Sequence, residues 1–222
     1  MALEIRGLSR KFLQGEREFY ALRDVNLIVK QGDFINITGR SGSGKSTLLN
    51  LIAGLLAPTE GEVLWDGKSI SRLSDEEASF FRNQQIGYVM QGNAALANLT
   101  VLENICLPWQ IYPREGEIRE RALRLLEQVN IACLKDSHPS GLSGGEIKRM
   151  SIARSLINQP ALLLADEPTG DLDRENTEEI MKLFRKIADQ GTTVIAVTHE
   201  LDTLRYGDQT YSMEQGRLSA VK

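Results

Sequence analysis

The chain has 222 residues, of which 41% are hydrophobic and 25% are charged, proportions typical of a globular protein with one large core. Its net charge of -4 argues against binding nucleic acid through a basic surface, because phosphate contacts need an excess of Lys and Arg. No stretch approaches the ~20 apolar residues of a membrane-spanning helix, and residues 1–12 carry charges where a secretory signal needs an apolar run. We therefore expect one soluble α/β domain, whose membrane role, if it has one, depends on a partner.

Short apolar segments of strand length are frequent in the first ninety residues. The glycine-rich segment after the third of them leads into a helix predicted from Lys45 to about Gly54. Ser74, followed three residues later by Glu77, is typical of a helix N-terminus. The predicted strands are Leu3–Leu8, Val25–Val29, Phe34–Thr38, Glu62–Trp65 and Ile86–Met90.

The segment 93–141 is predicted to be mostly helical, and three prolines interrupt it. Its clearest helix is Glu117–Val129, whose apolar residues fall on one face. The interrupting prolines are Pro108, Pro113 and Pro139.

After this segment, strands and helices alternate again. Continuous apolar runs at 161–165 and 194–197 are typical of parallel strands that are buried on both faces. The helix predicted between them, Glu175–Ala188, supplies the crossover connection. Gln209–Met213 and Arg217–Ala220 are predicted to form a final hairpin.

The segment Gly39–Thr47 matches the pattern G-x-x-x-x-G-K-[ST] and lies between a predicted strand and a predicted helix. Glycines let backbone N–H groups turn inward onto phosphate oxygens, and the helix N-terminus adds partial positive charge. Lys45 would then reach the terminal phosphates of a nucleotide, and the Ser46 hydroxyl would bind Mg²⁺. The predicted nucleotide contacts of this loop are Gly39, Arg40, Ser41, Gly42, Ser43, Gly44, Lys45, Ser46 and Thr47.

Two carboxylates, Asp166 and Glu167, follow the apolar run at 161–165. A carboxylate at the end of such a strand can hold Mg²⁺, and its neighbour can face an attacking water. We therefore predict that Asp166 binds the metal and that Glu167 is the catalytic base of a nucleotide hydrolase.

The segment Leu142–Glu146 resembles the Leu-Ser-Gly-Gly-Gln signature of ATP-binding cassette (ABC) ATPases, and further motifs of that family occur in the family's order. Gln91 looks like the Q-loop glutamine, residues 170–173 look like the D-loop, and His199 looks like the switch histidine. The resemblance covers nearly the whole chain. It implies a P-loop NTPase fold with a mixed, largely parallel sheet, an N-terminal antiparallel β subdomain and an inserted helical subdomain. The implied division is a nucleotide-binding core at 1–92 and 158–222, with the helical subdomain and its signature at 93–157.

The resemblance also implies a head-to-tail homodimer that holds two ATP molecules, each between the phosphate loop of one copy and the signature of the other. An aromatic residue stacks on adenine in this family; Phe12 is the first candidate and Tyr20 the second. Implied catalytic residues are Glu167, His199, Gln91 and Lys45, and implied Mg²⁺ ligands are Ser46, Gln91 and Asp166. Implied contacts to the other copy are Ser143, Gly144 and Gly145 with its ATP, and Leu142, Glu146 and Asp173 at the interface.

Glu146 stands where the signature usually has glutamine. This variant is frequent in the branch of lipoprotein-releasing, macrolide-export, peptide-antibiotic-resistance and cell-division (FtsE-like) ATPases. The resemblance therefore implies an ATPase at the cytoplasmic face of the membrane that drives an integral-membrane permease, exporting or extracting a lipophilic or peptide substrate. Residues 92–100 lack the aromatic residue and the proline common in that branch. This departure leaves the identity of the permease open.

Three other functions remain alternatives at this stage. The first keeps the class but makes the chain the ATPase of an uptake system for amino acids or another small solute. A regulator of cell-wall hydrolysis would use the same ATPase stroke without transport. A soluble cassette in DNA repair or translation would carry a coiled-coil insertion or two cassettes, and the sequence has neither.

The remaining candidate residues are interpreted as structural. Cys106 and Cys133 have no partners at metal-ligand spacing, and both are predicted to be buried, reduced thiols. His138 lies outside every motif and is predicted to be a surface or turn residue.

Overall fold

A computed structural model describes residues 2–15, 17–92, 94–112 and 115–221. The strands are β1 (Ala2–Gln14), β2 (Arg17–Lys30), β3 (Phe34–Thr38), β4 (Glu60–Trp65), β5 (Lys68–Ser69), β6 (Ile86–Val89), β7 (Leu162–Asp166), β8 (Thr193–Thr198), β9 (Gln209–Glu214) and β10 (Arg217–Ala220). The α-helices are α1 (Lys45–Ile52), α2 (Asp75–Gln85), α3 (Val101–Gln110), α4 (Ile118–Gln128), α5 (Gly144–Leu156) and α6 (Arg174–Asp189). Short 3₁₀ helices occupy Ile70–Arg72, Ala132–Leu134, Pro139–Gly141 and Leu201–Tyr206.

Two sheets organise the fold. A six-stranded sheet has the order β10-β9-β3-β8-β7-β6, in which β10 is antiparallel to β9 and the remaining neighbours are parallel. A four-stranded antiparallel sheet has the order β2-β1-β4-β5. The predicted α/β fold, with a mixed sheet and an N-terminal antiparallel β unit, is thereby confirmed.

The six-stranded sheet is covered on both faces, as the continuous apolar runs predicted. Successive residues of β7 point to opposite faces, so that Leu163 and Ala165 pack with α3 to α6. Leu162 and Leu164 pack instead with α1 and the four-stranded sheet. The helices of the 93–157 segment thus share one apolar core with the sheet. The proposed division into two subdomains stays a prediction.

The N-terminal hairpin is much longer than predicted. The sequence predicts strands at Leu3–Leu8 and Val25–Val29, which are parts of β1 and β2. Beyond these parts, β1 continues through residues 9–14 and β2 begins already at residue 17, and the two extensions pair with each other. These extensions contain many polar side chains, and most of their residues are exposed or only partly buried, so they lack the apolar alternation that marks a half-buried strand. Main-chain pairing, which leaves no trace in hydropathy, forms them instead.

Several smaller expectations needed correction. Pro108 lies inside α3 rather than at a boundary, Pro139 begins a 3₁₀ turn, and Pro113 lies outside the described residues. Cys106 is buried, but Cys133 is exposed, because it lies in the short 3₁₀ helix after α4 rather than in the core. His138 is exposed, as predicted. Within the described residues, no helix is both long enough and apolar enough to span a membrane.

Candidate nucleotide site

The phosphate loop joins the carboxyl end of β3 to α1, whose first residue is Lys45. It borders a cavity of about 890 Å³ lined by Arg40, Ser41, Gly42 and residues 44–47. Gly39 and Ser43 face a second cavity behind the loop. A Cβ on Gly39 would lie 2.4 Å from the carbonyl oxygen of Met213, so the loop approaches β9 too closely for any side chain there.

Lys45 is buried at the base of this cavity. Its Nζ donates to the carbonyl oxygens of Gly39 at 2.7 Å and Arg40 at 3.2 Å. It also lies 3.5 Å from Oε1 of Glu167. These contacts place a buried positive charge at the loop, which is the charge that a polyphosphate requires.

Glu167 joins two of the predicted catalytic side chains. Its Oε2 lies 2.8 Å from Nδ1 of His199, and its side chain is only 12% exposed. The residue follows β7 directly and has a φ of 46°, in the left-handed region that glutamate rarely adopts. Backbone conformations of this kind cost free energy and cluster at functional sites. Here the conformation turns the carboxylate towards Lys45 and His199.

Asp166 and Ser46 supply the chemistry of a magnesium site. Asp166 is only 6% exposed, and its Oδ1 has no hydrogen-bond partner among the described residues. Burial raises the pKa of Asp166, and a hydrogen bond from the Ser46 side chain opposes that shift. A buried, unpartnered carboxylate oxygen beside a hydroxyl suits Mg²⁺, which prefers oxygen ligands and few protein groups. Among the described residues, no group of three or more His, Cys, Asp and Glu side chains is arranged to hold a metal ion, so Gln91, water or phosphate would supply any further ligands.

Aromatic side chains from β1 and β2 also line this cavity. Phe12 and Phe19 are paired across β1 and β2, and their ring centroids lie 5.9 Å apart. Tyr20 also lines the cavity and carries two cations over its ring, Lys11 Nζ at 4.9 Å and Arg23 Cζ at 4.8 Å. Both candidates for adenine stacking therefore lie at the cavity.

The signature segment forms the N-terminus of α5. Ser143 caps this helix in a capping box: its N–H and its hydroxyl donate to Oε2 of Glu146 at 2.7 and 2.8 Å, and its Oγ accepts from the Glu146 N–H. Residues 142–146 are all described, and none of them lines the cavity at the phosphate loop. The two elements that the sequence predicts to bind phosphate therefore do not line the same cavity within one copy.

Comparison with known proteins decides the family. The ABC transporter family model matches residues 22–170. The chain belongs to the ABC transporter family of ATPases. The chain is 41% identical to the uncharacterized ABC transporter ATP-binding protein MJ0796 of Methanocaldococcus jannaschii, over 97% of this chain and 94% of that protein. It is also 41% identical to the lipoprotein-releasing system ATP-binding protein LolD of Aquifex aeolicus, over 91% of each chain.

A third relative is longer. The macrolide export ATP-binding/permease protein MacB of Chlorobaculum tepidum is 40% identical over 96% of this chain, which spans only 33% of that protein. Among solved structures, the dimeric post-hydrolysis state of MJ0796 bound to ADP and Pi matches with a TM-score of 0.92 and 37% identity over 99% of both chains. These relatives support the resemblance to the lipoprotein-releasing and macrolide-export branch.

The ABC motifs predicted from the sequence divide into two groups in the structure. The phosphate loop, Gln91, Glu167 and His199 meet at one cavity, with Asp166 beside Ser46. The signature and Asp173 lie outside that cavity. Asp173 caps α6, with Oδ1 2.8 Å from the Asn176 N–H and Oδ2 2.9 Å from Asn176 Nδ2, and these bonds hold its pKa below the usual range.

Sequence reasoning missed several cavity-lining residues of this ABC ATPase. Phe19 lines the cavity and is 46% exposed, an unusual exposure for a phenylalanine. Its position opposite Phe12 would have been visible only with the full length of the hairpin. Gln215 and Gly216 also line the cavity, although they were interpreted only as a turn. Their proximity to the phosphate loop depends on the parallel pairing of β9 with β3.

Proposed function

We propose that the chain is the ATP-hydrolysing subunit of a membrane ABC transporter that works as a homodimer around two ATP molecules and drives a separate permease. The proposal rests on one observation: the phosphate loop and the signature do not line the same cavity within one copy. Glu167 lies between Lys45 and His199 at the phosphate loop, whereas the signature lies outside that cavity. Each copy would thus provide the phosphate loop of one site and the signature of the other.

The phosphate loop would hold the ATP phosphates through its backbone N–H groups and Lys45. Ser46 and Asp166 would hold Mg²⁺, with Gln91 as a further ligand at the cavity edge, and the metal would offset the negative charge of the phosphates. Glu167 would orient or deprotonate the attacking water. His199 fixes the position of the Glu167 carboxylate and would contact the γ-phosphate.

Among the aromatic residues that line the cavity, Phe12 would stack on adenine, with Tyr20 as the alternative. Stacking requires only a free π face, so phenylalanine serves as well as tyrosine. Both rings already carry neighbours: Lys11 and Arg23 lie over Tyr20, whereas Arg10 Cζ lies 4.8 Å from the Phe12 centroid and Phe19 stacks against Phe12. A base would have to displace one of these neighbours at either ring, so ligand binding has to decide between the two.

The signature of the second copy would complete each site. Ser143, Gly144 and Gly145 offer a hydroxyl and N–H groups at the start of α5, where the helix dipole favours an anion. In a head-to-tail dimer these donors would meet the γ-phosphate held by the other phosphate loop. Leu142, Glu146 and Asp173 would then lie at the interface. ATP-dependent closure of this dimer would be the conformational change that is transmitted to the permease.

The permease would hold the dimer at the cytoplasmic face of the membrane and would export or extract a lipophilic or peptide substrate. Support comes from relatives whose names describe macrolide export and lipoprotein release. The alternatives are uptake of a small solute such as an amino acid, and mechanical regulation of cell-wall hydrolysis.

Two experiments test this proposal. Light scattering after gel filtration, with and without ATP, should show a dimer of the Glu167→Gln variant only in ATP; a monomer under both conditions would contradict the composite site. The same variant, used as bait in solubilised membranes, should retain a permease. A permease with four membrane helices and a large external domain supports export or mechanical signalling. A polytopic permease that works with a solute-binding protein would instead establish uptake.

A further inference from the structure

The turn Gln215–Gly216 connects β9 to β10 and lies against the phosphate loop. Its φ angles, 48° and 79°, are those of a type I′ hairpin turn. The Gly216 N–H donates to the carbonyl oxygen of Ser43 at 3.0 Å, and the Gly216 carbonyl accepts from the Arg23 N–H at 2.8 Å. One residue near the end of the chain therefore bridges the phosphate loop and β2.

The packing at this bridge leaves no room for a methyl group. A Cβ on Gly216 would lie 2.7 Å from the carbonyl oxygen of Ala21, and a Cβ on Gly44 would lie 2.4 Å from the same atom. The turn and the phosphate loop thus both pack against the backbone of β2 at the Ala21 carbonyl oxygen. The three segments form a junction, defined by Ala21, Gly44 and Gly216, at the rim of the nucleotide cavity.

The bond from Gly216 acts on a peptide unit within the phosphate loop. The Ser43 carbonyl and the Gly44 N–H belong to the same planar peptide and point in opposite directions. A donor that holds the Ser43 carbonyl outward therefore holds the Gly44 N–H towards the cavity. Loops of this kind bind phosphate only when successive N–H groups point inward.

We propose that Gly216 is a positioning residue for ATP binding: it fixes the Ser43–Gly44 peptide so that the Gly44 N–H faces the phosphates. This inference rests on the proposed function, because it assumes that ATP occupies the phosphate loop. Gly216 acts here through Ser43. Its effect should therefore appear in nucleotide affinity rather than only in stability.

The chain contains a matched control for this inference. The turn Asp66–Gly67 joins β4 to β5 with φ angles of 47° and 78°, nearly identical to those of Gln215–Gly216. A Cβ on Gly67 would meet nothing within 4 Å among the described residues. Gly67→Ala therefore imposes the same backbone strain without touching the junction.

ATP affinity, measured by calorimetry in Mg²⁺, should separate the two variants. Gly216→Ala should raise the Kd for ATP at least tenfold, whereas Gly67→Ala should stay within twofold of the wild type although both lower Tm. Equal ATP affinity for Gly216→Ala and Gly67→Ala would overturn the inference. Unchanged affinity in Lys45→Ala would instead contradict the proposed function, so the two failures are distinguishable.

A measurement on the wild type keeps the inference testable if Gly216→Ala does not fold. Hydrogen exchange is compared with and without magnesium tripolyphosphate, which has no base or ribose to reach the turn. Protection of the phosphate loop confirms that the probe is bound. Slower exchange in residues 209–220, with residues 60–69 unchanged, supports coupling through Ser43. Unchanged exchange in residues 209–220 while the loop is protected would overturn it.

Discussion

Glu167 and His199 form a hydrogen-bonded pair, Oε2 to Nδ1 at 2.8 Å, at the carboxyl ends of two neighbouring parallel strands. The backbone reinforces this pairing, because the Glu167 N–H donates to the carbonyl oxygen of Val197, two residues before His199, at 3.0 Å. The carboxylate is nearly buried while the imidazole is 61% exposed. The pair therefore presents a fixed carboxylate beside an exposed imidazole ring.

Replacing Glu167 by Gln should abolish most turnover while leaving ATP binding intact. The amide keeps the shape of the carboxylate but cannot accept a proton, and general-base catalysis contributes roughly 10²–10⁴-fold. Phosphate release under single-turnover conditions measures the loss, and calorimetry measures the ATP affinity. Glu200→Gln is the control, since Glu200 accepts from Thr169 Oγ1 and lies outside the nucleotide cavity. Wild-type turnover in Glu167→Gln would exclude the general-base role.

Replacing Lys45 by Ala should weaken ATP binding by roughly ten- to a hundredfold. Charge-assisted hydrogen bonds contribute about 1.5–3 kcal/mol, and each 1.4 kcal/mol corresponds to a factor of ten in affinity. Lys182→Ala is the matched control, because Lys182 is an exposed lysine whose partner is Glu178 on α6. The ATP affinity of both variants is measured at the same ionic strength. An equal effect of the two substitutions would argue against the phosphate-loop assignment of Lys45.

The choice between Phe12 and Tyr20 can be tested by comparing two ligands. Phe12→Ala should raise the Kd for ATP, since stacking on an aromatic ring contributes about 1–3 kcal/mol per base. It should leave the Kd for tripolyphosphate unchanged, because that ligand has no base. Phe12→Tyr should retain ATP affinity. If Tyr20→Ala, and not Phe12→Ala, produces the selective loss, the second candidate is the correct one.

The motifs were predictable because each is a local sequence pattern tied to the end of one strand. The apolar runs before Thr38, Asp166 and Thr198 predicted buried parallel strands, and such strands deliver their following residues to one edge of a sheet. Local pattern thus sufficed for the phosphate loop, Glu167 and His199.

The residues that sequence reasoning missed depend on pairing between distant segments. Phe19 comes opposite Phe12 only through the main-chain register of a largely exposed hairpin. Gly216 reaches Ser43 only because β9 pairs with β3. Hydropathy indicates which segments are buried but not which strands are neighbours, so it predicted neither pairing, although β3 itself is almost completely buried.

Asn104 offers a stability prediction away from the nucleotide cavity. It is fully buried in α3 and holds the segment after Gln91: its Oδ1 accepts from the Leu96 N–H, and its Nδ2 donates to the carbonyls of Leu96, Leu99 and Thr100. Asn104→Ala should lower the free energy of unfolding by about 1–3 kcal/mol, because it leaves buried polar groups without partners. Urea unfolding measures the change. Asn98→Ala is the control, because Asn98 is exposed, and its free energy of unfolding should stay close to that of the wild type. If Asn104→Ala has an equally small effect, the hydrogen bonds of Asn104 do not stabilise this segment.

Glu146 accepts hydrogen bonds from the Ser143 N–H and hydroxyl, which the signature would otherwise offer to phosphate. The chain has two further capping boxes of the same kind, and they serve as controls for substitution of Glu146. Ser74 with Glu77, Thr100 with Glu103, and Ser143 with Glu146 share the same reciprocal bonds. In each box the serine or threonine N–H, and then its hydroxyl, lowers the pKa of the glutamate. The ionised carboxylate therefore stabilises the folded chain fully above the unfolded pKa of about 4.3, and this contribution disappears as the pH falls through the lower folded pKa.

Glu77→Gln, Glu103→Gln and Glu146→Gln should accordingly each lower Tm slightly at pH 7, and the differences from the wild type should disappear only as the pH falls through the lowered folded pKa of each glutamate. Only Glu146→Gln should also change assembly. The Ser143 hydroxyl has one hydrogen, which Glu146 now accepts, and the carboxylate adds negative charge where the γ-phosphate of the other copy would arrive. In a Glu167→Gln background, Glu146→Gln should therefore reduce severalfold the ATP concentration that half-saturates dimer formation in light scattering. If Glu77→Gln shifts that concentration equally, the effect comes from helix stability rather than from charge at the interface.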